Sequence, residues 1–303
     1  MNSYQPKAGP ESFGRVLIKR DRFTDEGRAG RRIPFKIYHP ETPGTYPLVV
    51  WSHGLGGSAD GAAFLARFIS EHGYVVAHVQ HPGTDSSLWE GKHGHPWDII
   101  RTTPIPRSAT FDRFIDVGYF LDHLPSWLQS NGIDADFSRA GMCGHSYGAL
   151  TTQIMAGQTY RDDDGNWRSF RLDRFRAGIL YSPVPASSPV AYEGIKLPLL
   201  HMTGTDDLSP LEGFGVERRR EVFDHVTAPH QILTILNGGD HMVFTGSRGQ
   251  LAENPNRGDH EAIIKTLSLA YWDAWLKDDQ DARTWLDQSA TSWLNARATW
   301  ESK

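Results

Sequence analysis

A pentapeptide near the middle of the chain has the residue types of a serine nucleophile. Residues 144–148 read Gly-His-Ser-Tyr-Gly and lie between a predicted strand at 137–143 and a predicted helix at 146–157. Glycines on both sides allow a tight strand-to-helix turn that exposes the serine hydroxyl at the carboxyl edge of a sheet. Open α/β sheets bind their ligands at that edge. The pattern predicts Ser146 as a nucleophile, with an ordinary glycine-rich turn as the alternative.

A serine hydroxyl needs a base to take its proton and a carboxylate to orient that base. After a turn of this kind, the acid and then the histidine follow in the chain. The strand predicted at 197–204 runs into Thr-Asp-Asp, and the strand predicted at 231–236 runs into Asn-Gly-Gly-Asp-His. His241 is therefore the predicted base. We favour Asp207 as the acid, and Asp206, which can bond to its own backbone in the turn, is the alternative.

Attack on a carbonyl carbon also needs N–H groups that stabilise the negatively charged oxygen. One comes from the residue after the nucleophile and one from the loop after the third strand. Tyr147 and Leu55 occupy these places, Leu55 within the sequence His-Gly-Leu-Gly-Gly at 53–57. This glycine pattern does not predict a dinucleotide site, because a third glycine in register and an acid about 20 residues further on are missing.

The elements that must position these residues alternate along the chain. Segments 15–20 and 33–39 predict an antiparallel hairpin. Further strands are predicted at 47–52, 74–80, 137–143, 177–181, 197–204 and 231–236, and helices at 62–69, 107–130, 146–157, 211–225 and 259–275. Pro125 is expected to kink or split the second helix. This order predicts an α/β fold with a mainly parallel, eight-stranded sheet, helices on both faces and an N-terminal antiparallel hairpin.

No break in composition indicates a second domain, so we expect residues 1–303 to form one domain. The irregular stretch 84–112 is expected to overhang the active site as a lid-like insertion, with a packed surface loop as the alternative. The tail at 278–303 is expected to be helical. Its tryptophans are expected to pack on the domain, and a dimer surface is the alternative.

The composition narrows the class of partner. The chain has 31 Lys and Arg against 36 Asp and Glu, a net charge of −5, which favours neither nucleic acid nor an anionic membrane. No apolar run reaches the roughly 18 residues of a membrane span, and none at the N-terminus is typical of a signal peptide. The only cysteine, Cys143, is expected to be a small core residue. We therefore expect a cytoplasmic protein. We expect it to be either a monomer or a homodimer.

Two further patterns have residue types that are typical of metal sites, but neither predicts a metal site. His93 and His95 flank a glycine, but no carboxylate supports them as ligands. The acidic run at 161–166 lacks the spacing and the final glutamate of a calcium loop, so we interpret it as a solvated turn. We predict no metal ion and no organic cofactor.

Several motifs together resemble a known family. They are Trp-Ser-His-Gly-Leu-Gly-Gly at 51–57, His-Pro-Gly-Thr-Asp at 81–85, the run at 113–122, the pentapeptide at 144–148, Met-Thr-Gly-Thr-Asp-Asp at 202–207 and Gly-Asp-His-Met-Val-Phe at 239–244. Over residues 15–275 the chain resembles the α/β-hydrolase superfamily. More narrowly, it is similar to predicted dienelactone-hydrolase and platelet-activating-factor acetylhydrolase-like serine esterases.

The resemblance implies a role for each matching residue. Ser146 would be the nucleophile, Asp207 the acid and His241 the base, with Leu55 and Tyr147 as oxyanion donors. The chain also departs from these relatives in two places. Dienelactone hydrolases have cysteine in place of this serine, and the acetylhydrolases have their acid after the sixth strand, where this chain reads Tyr-Ser-Pro at 181–183.

The expected activity is hydrolysis of a carboxylic ester, either a small molecule or a lipid-like one, through an acyl-enzyme. An acyltransferase or a phospholipid acetylhydrolase would use the same residues, and a catalytically silent ligand-binding homologue is a further alternative.

Replacing Ser146 with alanine should abolish turnover of a short p-nitrophenyl ester, because the attacking hydroxyl is lost. Release of p-nitrophenol measures the activity, and circular dichroism checks that the variant is folded. Undiminished hydrolysis by the folded variant would contradict the assignment.

Overall fold

Nine strands form one sheet in the computed structural model, which describes residues 2–246 and 253–303, and two further short strands pair with each other. The strands are β1 Val16–Asp25, β2 Arg31–Pro40, β3 Thr45–Ser52, β4 Val75–Val79, β5 Asp134–His145, β6 Tyr160–Arg161, β7 Trp167–Arg168, β8 Ala177–Tyr181, β9 Leu199–Asp206, β10 Gln231–Asp240 and β11 Ala298–Ser302. The α-helices are α1 Ala63–Glu71, α2 Pro96–Thr102, α3 Arg107–Ser130, α4 Tyr147–Ala156, α5 Val216–His225, α6 Arg257–Leu276, α7 Gln280–Gln288 and α8 Ala290–Leu294.

The sheet has the order β1-β2-β4-β3-β5-β8-β9-β10-β11. Every neighbouring pair from β4 to β10 is parallel, whereas β1, β2 and β11 run antiparallel to their neighbours. The carboxyl ends of the six parallel strands therefore lie along one edge, where such sheets bind ligands. The predicted α/β-hydrolase type of fold, with its N-terminal hairpin, is confirmed.

The sheet contains one strand more than the eight predicted. Residues 298–302 were expected to belong to a helical tail, but they form β11 and pair with the outer edge of β10. The Thr234 hydroxyl donates to the Thr299 carbonyl at 2.7 Å, and Glu301 forms an ion pair with Arg220. Only α7 and α8 of the tail are α-helical, because pairing with the open sheet edge satisfies the backbone groups of the last residues.

Alternating side chains of the central strands enter two different cores. Val49 and Trp51 of β3 pack in the layer that contains α1 and α6, whereas Leu48 and Val50 pack in the layer that contains α3 and α4. Helix α5 covers the α4 face further along the sheet, through Val222. This two-sided burial explains why the parallel strands are continuous apolar runs rather than alternating ones.

Helix α3 is continuous across Pro125, so the predicted split does not occur. The proline lies on the exposed side of the helix. Buried Leu121, Leu124 and Leu128 hold the helix against the sheet on both sides of it. Packing on this stripe therefore outweighs the missing hydrogen bond.

Within residues 2–246 and 253–303, none of the helices combines the length and the apolar character that a membrane crossing requires.

The fold predicts opposite effects for two glycines that occupy the same helical position. Gly148 and Gly258 are the second residues of α4 and α6, but a Cβ at 148 would collide with the Ser52 carbonyl, whereas a Cβ at 258 would meet nothing within 4 Å. Gly148→Ala should lower the free energy of unfolding by about 3 kcal/mol. Gly258→Ala should be neutral or raise it by up to about 1 kcal/mol. Urea denaturation measures the free energy of unfolding of both variants. Equal effects of the two substitutions would contradict the close approach of α4 to the Ser52 carbonyl.

Candidate active site

Ser146 occupies a strained turn between β5 and α4. Its backbone has φ 55° and ψ −115°, a region that non-glycine residues rarely adopt and that costs about 1–3 kcal/mol. The Ser146 N–H donates to the Tyr181 carbonyl at 2.8 Å, which ties the turn to the end of β8. A Cβ on Gly144 would collide with the backbone of Gly148, so both flanking positions need glycine. The predicted turn geometry is therefore present.

The side chains of Asp207 and His241 are in direct contact. Asp207 follows β9 and His241 follows β10, and the His241 Nδ1–H donates to Asp207 Oδ1 at 2.7 Å. Both residues are buried, and Thr203 Oγ1 donates to the other carboxylate oxygen at 2.8 Å. Because an ionised carboxylate only accepts, the hydrogen lies on Nδ1 and the Nε2 lone pair is available to act as a base.

The Asp207 carboxyl remains ionised despite its burial. Burial alone would raise its pKa, but His241 and Arg219 outweigh that effect and hold the pKa well below its usual value. Arg219 Nε lies 3.0 Å from Asp207 Oδ1. Asp206, the alternative acid, is exposed at the end of β9, where it accepts a hydrogen bond from Thr205 Oγ1 at 3.1 Å. The geometry brings Asp207, and not Asp206, to His241.

Arg219 is a site residue that sequence reasoning missed. From α5 it donates to the backbone carbonyls of Asp207 at 2.9 Å, Ser182 at 3.2 Å and Pro183 at 3.1 Å. It thereby connects the loops after β8 and β9 beneath the Asp207 carboxylate. The signal that identifies it is helical spacing, since position 219 shares one face with buried Val222 and Phe223.

His145 supports His241 from the other side. Its Nε2–H donates to the His241 carbonyl at 2.7 Å, and the centres of the two rings lie 4.5 Å apart. Burial, together with the neighbouring His241, lowers the pKa of His145 well below its usual value, so this ring stays neutral. His145 therefore holds the backbone of His241 in place.

A cavity of about 980 Å³ opens above these groups. Ser146 and His241 line it, together with Leu55 and Tyr147. The structure therefore brings all four residues to one cavity. The apolar side chains that line the rest of the cavity are Phe64, Trp89, Trp97, Ile100, Ile105, Leu150, Trp167, Val184, Leu211, Phe214 and Met242.

The segment 84–112 forms one wall of this cavity. It contains α2 and the start of α3, so it is more regular than expected. Trp89 Nε1–H donates to the Gly56 carbonyl at 2.7 Å, and Ile100 packs against the same glycine. Arg101 donates to the Pro210 carbonyl at 2.9 Å across the cavity mouth. The segment therefore contacts both the 53–57 turn and the loop after Asp207.

The weaker candidates lie outside this arrangement. Cys143 is buried, and burial raises the pKa of its thiol. His93 is exposed, and His95 accepts the Trp97 N–H at the start of α2. Asp162 accepts the Asn166 N–H at 2.8 Å within the β6–β7 turn. In the part of the chain that the structure describes, no group of three side chains could hold a metal ion.

A comparison with protein families finds a match over part of the chain. The family model of platelet-activating factor acetylhydrolase, isoform II, matches residues 31–90. This stretch runs from β2 to the start of the cavity wall and includes the 53–57 turn, but it ends before Ser146. No curated protein gave a significant match to the chain.

The fold and the family match together define a general class of protein. The protein has an α/β-hydrolase type of fold, and over residues 31–90 it is similar to an acetylhydrolase family. This similarity supports ester hydrolysis as its general kind of activity.

The two neighbouring aspartates should differ sharply when each is changed to asparagine. Asp207→Asn should lower kcat/KM for a p-nitrophenyl ester by about 10³-fold or more, because an amide does not hold the Nδ1–H tautomer of His241. Asp206→Asn, with an exposed side chain, is the matched control and should change activity less than about threefold. Initial rates of p-nitrophenol release, measured on the folded variants, show which aspartate the reaction needs. A larger loss in Asp206→Asn would show that the acid is misassigned.

Proposed function

We propose that the protein is a serine hydrolase that cleaves carboxylic esters through an acyl-enzyme on Ser146. The observation that carries this proposal is the 2.7 Å hydrogen bond between His241 and buried, ionised Asp207, with His241 lining the same cavity as a serine held at positive φ. A buried carboxylate that orients a histidine in the same cavity as a strained serine is an arrangement that can activate a hydroxyl.

In the first half-reaction, His241 Nε2 takes the Ser146 hydroxyl proton as Oγ bonds to the ester carbonyl carbon. Collapse of the tetrahedral intermediate breaks the bond to the alcohol oxygen. His241 returns its proton to that oxygen, and the alcohol leaves. In the second half-reaction, water gives a proton to His241 and attacks the acyl carbon. The bond to Oγ breaks, the proton returns to Ser146, and the carboxylic acid leaves.

The backbone N–H groups of Leu55 and Tyr147 stabilise the oxyanion in both half-reactions. Two neighbouring amides are already occupied, since the Gly56 N–H donates to the Thr84 carbonyl at 2.9 Å and the Gly57 N–H donates to the Gly54 carbonyl at 3.0 Å. We therefore infer that the donor from this turn is the Leu55 amide and not that of Gly56 or Gly57. The aromatic and aliphatic cavity wall favours an apolar acyl or alcohol group, small or lipid-like.

A second candidate is an acetylhydrolase of lipid esters, which the match over residues 31–90 favours. It would use the same serine, aspartate and histidine, and differ only in the substrate that the cavity accepts. The single domain, the lid-like role of 84–112, the cytoplasmic location and the monomeric or homodimeric state stay predictions.

An alkyl fluorophosphonate should label the protein once, at Ser146, because the reagent traps only an activated serine. Peptide mass spectrometry locates the label. In parallel, p-nitrophenyl esters from acetyl to dodecanoyl, assayed with and without added short-chain alcohol, should release mainly free acid. A label elsewhere would contradict the nucleophile, and acyl transfer to the alcohol as the main product would identify an acyltransferase.

A further inference from the structure

Arg113 is a buried cation that the reaction as described does not use. It lies in α3 with 0% of its surface exposed. Among the described residues, no carboxylate lies within ion-pair distance of it, and it is held only by neutral acceptors. Burial lowers its pKa to about 10, which still leaves it charged at neutral pH. A buried charge without an ion pair costs stability, so its contacts need an explanation.

One edge of the guanidinium holds the segment that carries Leu55. Nη2 donates to Ser52 Oγ at 2.8 Å and to the His53 carbonyl. Nη1 donates to Thr84 Oγ1 at 3.0 Å, and the Thr84 carbonyl accepts the Gly56 N–H. The guanidinium therefore contacts the 53–57 turn directly and through Thr84.

The same guanidinium also holds the first turn of α4. Arg113 Nε donates to Thr151 Oγ1 at 2.6 Å, and that hydroxyl donates to the Tyr147 carbonyl at 3.0 Å. The guanidinium carbon also lies 5.0 Å from the centre of the Tyr147 ring. One rigid, planar group therefore connects the two segments that carry the Leu55 and Tyr147 amides.

A buried chain of hydrogen bonds, Ser52–His81–Asp116, extends from the same guanidinium. The Ser52 hydroxyl donates to His81 Nε2 at 3.1 Å, and His81 Nδ1–H donates to Asp116 at 3.2 Å. Burial and the nearby Arg113 lower the pKa of His81 to about 4, so the ring is neutral at physiological pH. All three residues are fully buried. They cannot reach a substrate, so this second set has a structural role.

From His81, further hydrogen bonds lead to the peptide unit between Gly54 and Leu55. The His81 N–H donates to His53 Nε2 at 3.0 Å, so His53 carries its hydrogen on Nδ1 and donates it to the Gly54 carbonyl at 2.7 Å. The Gly57 N–H donates to the same oxygen. In a planar trans peptide, the Gly54 carbonyl and the Leu55 N–H point in opposite directions. Two donors on the carbonyl therefore fix the direction of that N–H.

We propose that Arg113 is a positioning residue that sets the spacing between the Leu55 and Tyr147 amides, with the Ser52–His81–Asp116 chain fixing the orientation of the Leu55 amide. This inference rests on the proposed function. It explains the buried charge, because one planar guanidinium supplies several donors at fixed spacing to both segments and a single ammonium nitrogen does not.

Arg113→Lys tests the proposal because it keeps the charge and loses the planar fork. For a p-nitrophenyl ester, kcat should fall about 10- to 100-fold while KM changes less than about threefold, since only the transition state needs both amides. The Ki of a trifluoromethyl ketone, which forms an oxyanion on the serine, should rise by the same factor. The infrared carbonyl stretch of a ¹³C-labelled acyl-enzyme should move to higher wavenumber.

Tyr74→Phe is the matched control. It removes a buried hydrogen bond of 2.7 Å to Asp273, and neither Tyr74 nor Asp273 lines the cavity. It should lower the melting temperature without changing kcat, the ketone Ki or the carbonyl stretch. If lower stability alone caused the loss of kcat in Arg113→Lys, Tyr74→Phe would lose kcat as well.

Unchanged kcat and Ki in Arg113→Lys, or a loss of kcat with an unchanged carbonyl stretch, would overturn the proposal. If Arg113→Lys does not fold, Ser52→Ala replaces it, and its kcat and Ki should change in parallel by about 3- to 10-fold. A wild-type protein that neither hydrolyses esters nor reacts with a fluorophosphonate would instead overturn the proposed function.

Discussion

The geometry of the site depends on one close approach of two backbones. The first turn of α4 lies against the Ser52 carbonyl at the end of β3, and only glycine at position 148 allows this contact. Because β3 and β5 are adjacent and parallel, the same contact places the 53–57 turn next to the strained turn of Ser146. Ser146 and Leu55, which are far apart in the chain, thus line one cavity.

Two buried arginines organise the loops around this contact. Arg219 lies beneath Asp207 and connects the loops after β8 and β9. Arg113 connects the 53–57 turn with the first turn of α4. Arg219 has an ionised partner, so its charge is compensated, whereas Arg113 is held by neutral acceptors only. The charge that is more costly to bury is the one that connects the two proposed oxyanion donors.

Much of the fold could be predicted because doubly buried parallel strands are short apolar runs between helices. Strand β11 could not be, since Ala-Thr-Trp-Glu-Ser has little apolar character and is a strand only because β10 offers an open edge. For the site, the glycines around residue 146 predict its turn. Adjacent Asp206 and Asp207 have the same chemistry in sequence and differ only in which carboxylate is buried against His241. Helical spacing places Arg219 on the same face as Val222 and Phe223, but the contacts that give Arg219 and Arg113 their roles depend on tertiary packing, which the sequence does not reveal.

The central claim is that Ser146 attacks a carbonyl whose oxygen is held by the Leu55 and Tyr147 amides. A crystal structure of the protein after reaction with an alkyl fluorophosphonate tests it most directly, because the phosphonyl oxygen takes the place of the oxyanion. The account predicts phosphorus bonded to Ser146 Oγ and its oxygen about 2.7–3.1 Å from both backbone nitrogens. A phosphonyl oxygen that points away from both amides, or an adduct on another residue, would contradict it.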